Sequence, residues 1–334
     1  MTNQSPRKIR FSQAIGEAIS LEMELDPKVL VLGEDVGRSG GVFAVTRHLQ
    51  ERFGEDRVRD TPISEMAFTG MGVGLAMAGY RPIVEIMFVD FIGACLEPVM
   101  NAMSKIPYMS GGSTRVPMVL KTAGGCIGSA AQHSQCLWGL FAHLPGMIVV
   151  CPSSPYDYKG LMAAAIQSDD PVVFIENKRQ LNKTIDTYPI PADVPPERYS
   201  VPLGKAKVVK EGSDITLVTI SASVADALVA ANELKRENVS VEVIDLRTLV
   251  PLDTETIVSS VAKTGRLLVV DEDFLSYGMS GEIVARVVEA LHPNSIKGIK
   301  RHAMPDIPLP AAITLEQAAV PNAISIAQAI RSME

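Results

Sequence analysis

EMAFTGMGVGLAMAGYRPIVEIM, residues 65–87, sets a helix-period segment directly before a short apolar run. Small and apolar residues recur at helical spacing from Glu65 to Ala78, and Gly79 and Tyr80 then interrupt the pattern. The next run, Pro82 to Met87, is too short for a second helix and is rich in the β-branched Ile83, Val84 and Ile86, which favour strand. A helix feeding such a strand is half of a βαβ unit. Working outward, the same alternation recurs. Strands are expected at Val29–Gly33, Pro117–Lys121, Met147–Cys151 and Val172–Glu176, with helices over Phe11–Glu24, Phe91–Ser104 and Tyr156–Ser168. Strands alternating with helix-length segments predict a parallel sheet covered by crossover helices, so the class is α/β.

Between Leu181 and Gly204 the periodicity stops, and Pro189, Pro191, Pro195, Pro196 and Pro202 forbid continuous helix or central strand. A second cycle follows, with strands at Ile215–Ile220, Val239–Leu246, Arg266–Asp271 and Ile296–Arg301. Its helices are expected over Ser223–Lys235, Asp253–Ala262, Ser280–Ala290 and Asn322–Met333, with Asp253 as an N-cap. The organisation expected is therefore two doubly wound domains, residues 1–180 and 205–334, joined by a Pro-rich linker over 181–204.

The 334 residues suffice for two such cores. A formal charge of -7 leaves little attraction for phosphate backbones or anionic lipid, so nucleic acid is not an expected partner. Arg81, Glu85, Asp90 and Glu97 break the most apolar region before it reaches the roughly 20 residues of a membrane span. The start lacks a secretory apolar region, and the location expected is cytoplasmic. Cys95, Cys126, Cys136 and Cys151 follow no metal or disulfide spacing and are expected as buried thiols.

Several residues could carry chemistry. Glu65 opens a helix after Pro62, where a carboxylate meets the positive helix end, and simple charge complementarity would also place it there. Gly70, Gly72 and Gly74 each cost a helix interior roughly 1 kcal/mol relative to Ala. The compensation expected is a second helix packed closely on Gly70 and Gly74. A nucleotide-binding glycine loop is the other reading, but the spacing is wrong and no strand directly precedes it. His133 lies in an aperiodic stretch after GGCIG, Gly124–Gly128, where either proton transfer or a structural role is open. His143 precedes a Pro-Gly turn and reads as turn-stabilising. Phe88 and Phe91 flank Asp90 at the carboxyl end of a strand, the side on which α/β sheets bind ligands, and core packing would place them there equally well.

Taken together, LGEDVG (Leu32–Gly37), RVRDTPISE (Arg57–Glu65), YMSGG (Tyr108–Gly112), AAQHSQ (Ala130–Gln135), HLPGMIVVCPSSPYDYKGL (His143–Leu161), DDPVVFIENK (Asp169–Lys178), VEVIDLRTLVPLD (Val241–Asp253) and DIPLP (Asp306–Pro310) resemble the beta chains of thiamin diphosphate-dependent 2-oxoacid and acetoin dehydrogenases. The resemblance covers nearly the whole chain in family order. It implies a pyrimidine-binding domain followed by a smaller transketolase-C-terminal-like domain used for subunit and complex assembly. It also implies an alpha subunit that holds the cofactor's diphosphate and magnesium through a GDG motif, which this sequence lacks. Two alpha and two beta chains would form a heterotetramer, and a lipoyl-bearing acyltransferase core would accept the acyl group.

By the same resemblance Glu65 hydrogen-bonds the aminopyrimidine ring nitrogen and favours the imino tautomer. Phe91 lies against the ring, the Ile63 backbone meets its amino group, and Glu34 joins Glu65 in an acidic relay. His133 serves acyl transfer to the lipoyl arm. Carbonyls of Met118, Ala165, Ser168 and Asp170 match a structural potassium site, with Ser168 replacing an acidic residue of some relatives. Pyruvate, acetoin and branched-chain 2-oxoacids stay open as substrates. The competing readings are the C-terminal half of a split transketolase-like enzyme and a non-catalytic scaffold.

Overall fold

In a computed structural model the chain is described over residues 7–181, 183, 189–190 and 193–333; Pro191 of the expected linker lies outside them. The strands are β1 (Val29–Gly33), β2 (Val58–Asp60), β3 (Arg81–Ile86), β4 (Val119–Gly124), β5 (Ile148–Val150), β6 (Val172–Asn177), β7 (Lys207–Lys210), β8 (Ile215–Thr219), β9 (Val241–Asp245), β10 (Thr248–Val250), β11 (Arg266–Phe274) and β12 (Gly298–Met304). They form a seven-stranded sheet in the order β10-β5-β6-β4-β3-β1-β2 and a five-stranded sheet in the order β12-β11-β8-β9-β7. All neighbours pair in parallel except β10 with β5 and β7 with β9, so each sheet carries one antiparallel edge. The architecture is two α/β domains of the expected class. β10, beyond the linker in sequence, closes the edge of the first sheet and ties the domains together.

Helices α1 (Phe11–Leu25), α2 (Leu49–Phe53), α3 (Glu65–Met77), α4 (Ser104–Met109), α5 (Trp138–Ala142), α6 (Pro155–Gln167) and α7 (Lys178–Leu181) accompany the first sheet. α8 (Ser223–Leu234), α9 (Thr254–Thr264), α10 (Met279–Ala290), α11 (Ile313–Ala319) and α12 (Ala323–Arg331) accompany the second. α1 and α6 cover one face of the first sheet, packing Phe11, Ile15, Ile19, Tyr158 and Leu161 on Val31, Ile83 and Phe174. On the other face Phe68 and Val73 of α3 join a core that runs on through Trp138 to Val218, Leu267, Ile283 and Val287 of the second domain. One continuous apolar cluster therefore fixes one domain against the other. Asp253 caps α9 as expected, its carboxylate accepting from the Thr256 N–H at 3.2 Å.

The helix expected over Phe91–Ser104 is broken. A 3-10 segment spans Val89–Cys95, a π-helical turn follows over Pro98–Met103, and α4 then begins. Pro98 cannot donate to the carbonyl one turn earlier, which ends the regular ladder. The break leaves Val89 to Cys95 as a tight connection at the sheet's carboxyl edge, where it can carry a site rather than only cover the core.

Candidate functional site

β1 connects to β2 on one side and the chain then returns to β3 on the other, so the strand order reverses at β1 and opens a crevice at its carboxyl end. Glu34 follows β1 directly. The Thr61 N–H donates to the Gly33 carbonyl at 2.9 Å, drawing the loop after β2 against that end. The loop delivers Glu65 to the first turn of α3, where Ser64 gives no side-chain cap. Ile63 beside it is 83% exposed. Burial raises the Glu34 carboxyl above its ordinary value, and the charges of Glu65 and Asp35 add to the effect. A carboxyl raised by burial beside a second carboxylate marks a candidate functional site.

An aromatic cluster follows the neighbouring strand β3. The rings of Phe88, Phe91 and His133 lie mutually edge-on, each pair with centroids 5.5 Å apart, and Phe43 meets Phe88 at 5.9 Å. His133 is half-buried in a loop without helix or strand, as expected from the sequence. Its Nδ1 lies 3.2 Å from the Ser129 carbonyl oxygen, and a carbonyl can only accept, so Nδ1 carries a proton and Nε2 is left for another partner.

The rest of the loop is held by residues that periodicity did not single out. Lys178, just past the carboxyl end of β6, donates to the His133 carbonyl and stacks its ammonium 4.7 Å from the Phe88 ring centroid. Asp90 accepts from the Gln135 N–H at 3.2 Å and from its amide group at 2.9 Å, while the second Asp90 oxygen is buried without a partner. Lys178 was findable by the strand-end rule that singled out Phe88 and Phe91; Gln135 carried no such signal.

The glycines of α3 divide by face. A Cβ on Gly72 would lie 2.5 Å from Val84 Cγ2, so this glycine lets α3 approach β3. Gly70 and Gly74 face open space, with nothing within 4 Å, among the exposed Met66, Met71 and Met77. Within the described residues no helix covers them. Cys95, Cys126, Cys136 and Cys151 are buried free thiols. Burial pushes Cys95 up to about 11 and Cys126 up to about 12, so both are held as inert thiols.

The four carbonyls expected at a potassium ion all accept bonds within the chain. Met118 takes the Val172 N–H at 2.9 Å, Ala165 the Ser168 N–H at 3.3 Å, and Asp170 the Ser168 hydroxyl at 2.9 Å. Ser168 takes the Arg81 guanidinium at 2.8 Å, which sets a cation of the protein on one of these oxygens.

Two α/β domains, with paired carboxylates and an aromatic cluster at the switch point of the first, define a transketolase-type chain. The transketolase pyrimidine binding domain family matches residues 7–184, and the transketolase C-terminal domain family matches residues 204–326. The acetoin:2,6-dichlorophenolindophenol oxidoreductase subunit beta of Cupriavidus necator is 43% identical, with 97% of each chain covered. The 2-oxoisovalerate dehydrogenase subunit beta of Bacillus subtilis is 42% identical over 97% of this chain and 98% of its own. The pyruvate dehydrogenase E1 component subunit beta of Rickettsia felis is 41% identical over 98% of each. The chain belongs to this family of dehydrogenase beta subunits, and its role is that of a subunit in an oxidoreductase complex. A solved split-gene transketolase, described as an inactive beta4 tetramer, superposes with a TM-score of 0.77 at 24% identity, covering 97% of this chain and 98% of its own; that likeness concerns the fold alone. No helix among the described residues is long and apolar enough to cross a membrane.

Proposed function

We propose that this chain is the pyrimidine-holding half of a thiamin diphosphate-dependent dehydrogenase that cleaves pyruvate, acetoin or a branched-chain 2-oxoacid and passes the acyl group to a lipoyl arm. The observation that carries the reading is that two groups stand at the carboxyl ends of the neighbouring parallel strands β1 and β3: Glu34, which feels the Glu65 charge, after β1, and Phe88, packed with the Phe91 and His133 rings, after β3. These residues fit the pyrimidine end of the cofactor. A carboxylate can hold a ring-nitrogen proton, the backbone of the exposed residue Ile63 can meet an amino group, and Phe91 can pack against a flat ring. The diphosphate and its magnesium are assigned to an alpha subunit with a GDG motif, since this sequence has neither that motif nor another phosphate loop.

Thiamin diphosphate, when bound, supplies the nucleophilic carbon and the electron sink. The chain's own part is proton management. Glu65 holds the pyrimidine proton, and Glu34 beside it, raised by burial and by Glu65's charge, can take up or release one in step. With Nδ1–H anchored on Ser129, His133 turns Nε2 to the transfer half-reaction, where the doubly protonated imidazolium gives up its Nε2 proton as the acid. The open face at Gly70 and Gly74 is assigned to a helix of the alpha subunit within a heterotetramer of two alpha and two beta chains, and a lipoyl-bearing acyltransferase core is the onward partner. The proposal extends to potassium on the carbonyls of Met118, Ala165, Ser168 and Asp170, with Arg81 competing for the Ser168 oxygen. The location proposed is cytoplasmic.

Glu65→Gln keeps the side-chain shape and removes the charge. In the enzyme assembled with its alpha subunit, turnover is expected to fall by roughly 10²- to 10⁴-fold, the usual contribution of a positioned acid or base. A loss below about fivefold would remove Glu65 from that role.

A further inference from the structure

The loop that carries His133 is built by both domains. Gly128, five residues before it, has φ +77°, a conformation that favours glycine, and a Cβ there would lie 3.2 Å from the Ile313 side chain of α11, so this C-terminal helix lies directly against the loop. On the same helix Glu316 is only 5% exposed, and both of its carboxylate oxygens lie 2.9 Å from the Gly128 N–H. Beneath it, Cys126 of the loop packs with Met304, Leu309 and Val320 of the second domain. Burying a carboxylate costs desolvation unless hydrogen bonds offset it, and here the offset is a charge-assisted bond to a backbone with no regular structure of its own.

We propose that Glu316 is a positioning residue for His133, acting from the C-terminal domain through the backbone of residues 128–133. The bond to the Gly128 N–H fixes the Ile127–Gly128 peptide, one residue ahead of Ser129. The Ser129 carbonyl in turn accepts from His133 Nδ1 and so sets the tautomer and the direction of Nε2. Lys178 and Asp90 grip the far side of the same loop, through the His133 carbonyl and Gln135. Lys178 and Asp90 belong to the first domain and Glu316 to the second, so the relative placement of the domains bears on the histidine. The proposal rests on the reading of His133 as the acid in acyl transfer.

The test uses the full chain assembled with its alpha subunit, in Glu316→Gln, Glu316→Ala and His133→Ala forms. Hydrogen exchange is followed over residues 125–135, and activity is measured with a lipoyl domain and with an artificial dye as alternative acceptors. Loss of a hydrogen bond to a charged group predicts amide exchange in the loop faster by about tenfold or more in Glu316→Ala, less in Glu316→Gln, with the rest of the domain unchanged. Lipoyl transfer is expected to fall by a similar factor in Glu316→Ala and by less in Glu316→Gln, while dye-linked activity is largely kept in both. Unchanged loop exchange overturns the proposal whatever the activities do, and so does faster exchange spread over the whole C-terminal domain. Equal loss of both activities in His133→Ala overturns the His133 reading instead, and the loop exchange then decides Glu316 by itself.

Discussion

The three glycines of α3 separate the stability of this chain from its assembly. Replacing Gly70 or Gly74 by Ala adds a methyl where nothing lies within 4 Å, and neither residue has a positive φ. The helix gains the propensity difference between Ala and Gly, about 1 kcal/mol per site. For a domain of this size that gain raises the melting temperature of the isolated chain by about 2–4 °C per substitution. Gly72→Ala gains the same propensity but drives a methyl to 2.5 Å from Val84 Cγ2 and 3.2 Å from Met118 Cε, both on buried residues. Overpacking of this kind costs about 1–3 kcal/mol, so the net effect is neutral to destabilising by about 2 kcal/mol.

Assembly is expected to reverse the ranking. If a partner helix packs on the Gly70 and Gly74 face, added methyls push the two backbones apart, and the double Ala variant should co-purify poorly with the alpha subunit while melting higher alone. Gly72→Ala should assemble in proportion to its folded fraction. The assays are thermal unfolding of the isolated chain and size-exclusion of the co-expressed pair. A double variant that is destabilised alone, or that assembles as well as the wild type, would refute the argument.

Two further outcomes follow from the proposed division of the cofactor. The isolated chain should bind thiamin diphosphate weakly by calorimetry, because it offers the pyrimidine pocket without a phosphate cradle; micromolar binding by this chain alone would contradict the split site. Potassium on the Met118, Ala165, Ser168 and Asp170 carbonyls predicts a higher melting temperature in potassium than in sodium at equal ionic strength, and identical melting would leave Arg81 as the cation that serves these oxygens.

The elements legible in the sequence were those whose signal is local. β1 begins and ends at Val29 and Gly33 as read from its apolar run, and α9 begins after Asp253 as its cap demands. The short β5 is marked by the run Met147–Cys151 around it, whereas the comparably short β2, β7 and β10 carry no apolar run of their own. They exist because a sheet edge is there to pair with, which is a tertiary fact. The Phe91–Ser104 segment kept a helical composition while Pro98 removed a donor in its middle, and the chain resolved the conflict with a 3-10 segment and a π turn.

The same distinction runs through the site. Glu34, Phe88 and Phe91 follow strand ends and are therefore visible to a rule about sheets. Glu65 is visible as a helix opening. Glu316 lies 188 residues from the glycine it binds, on a short helix without a distinctive pattern, and no local rule could join the two. Its effect depends on the packing of the domains, which one continuous core from Phe68 to Val287 holds in place. The resemblance gives the C-terminal domain a role in subunit and complex assembly. Yet a domain that must be docked correctly for Glu316 to reach Gly128 makes the geometry of His133 conditional on the docking of the domains. A chain folded in its first domain but misdocked in its second would keep Glu34, Glu65 and Phe91 in place and lose the histidine's aim.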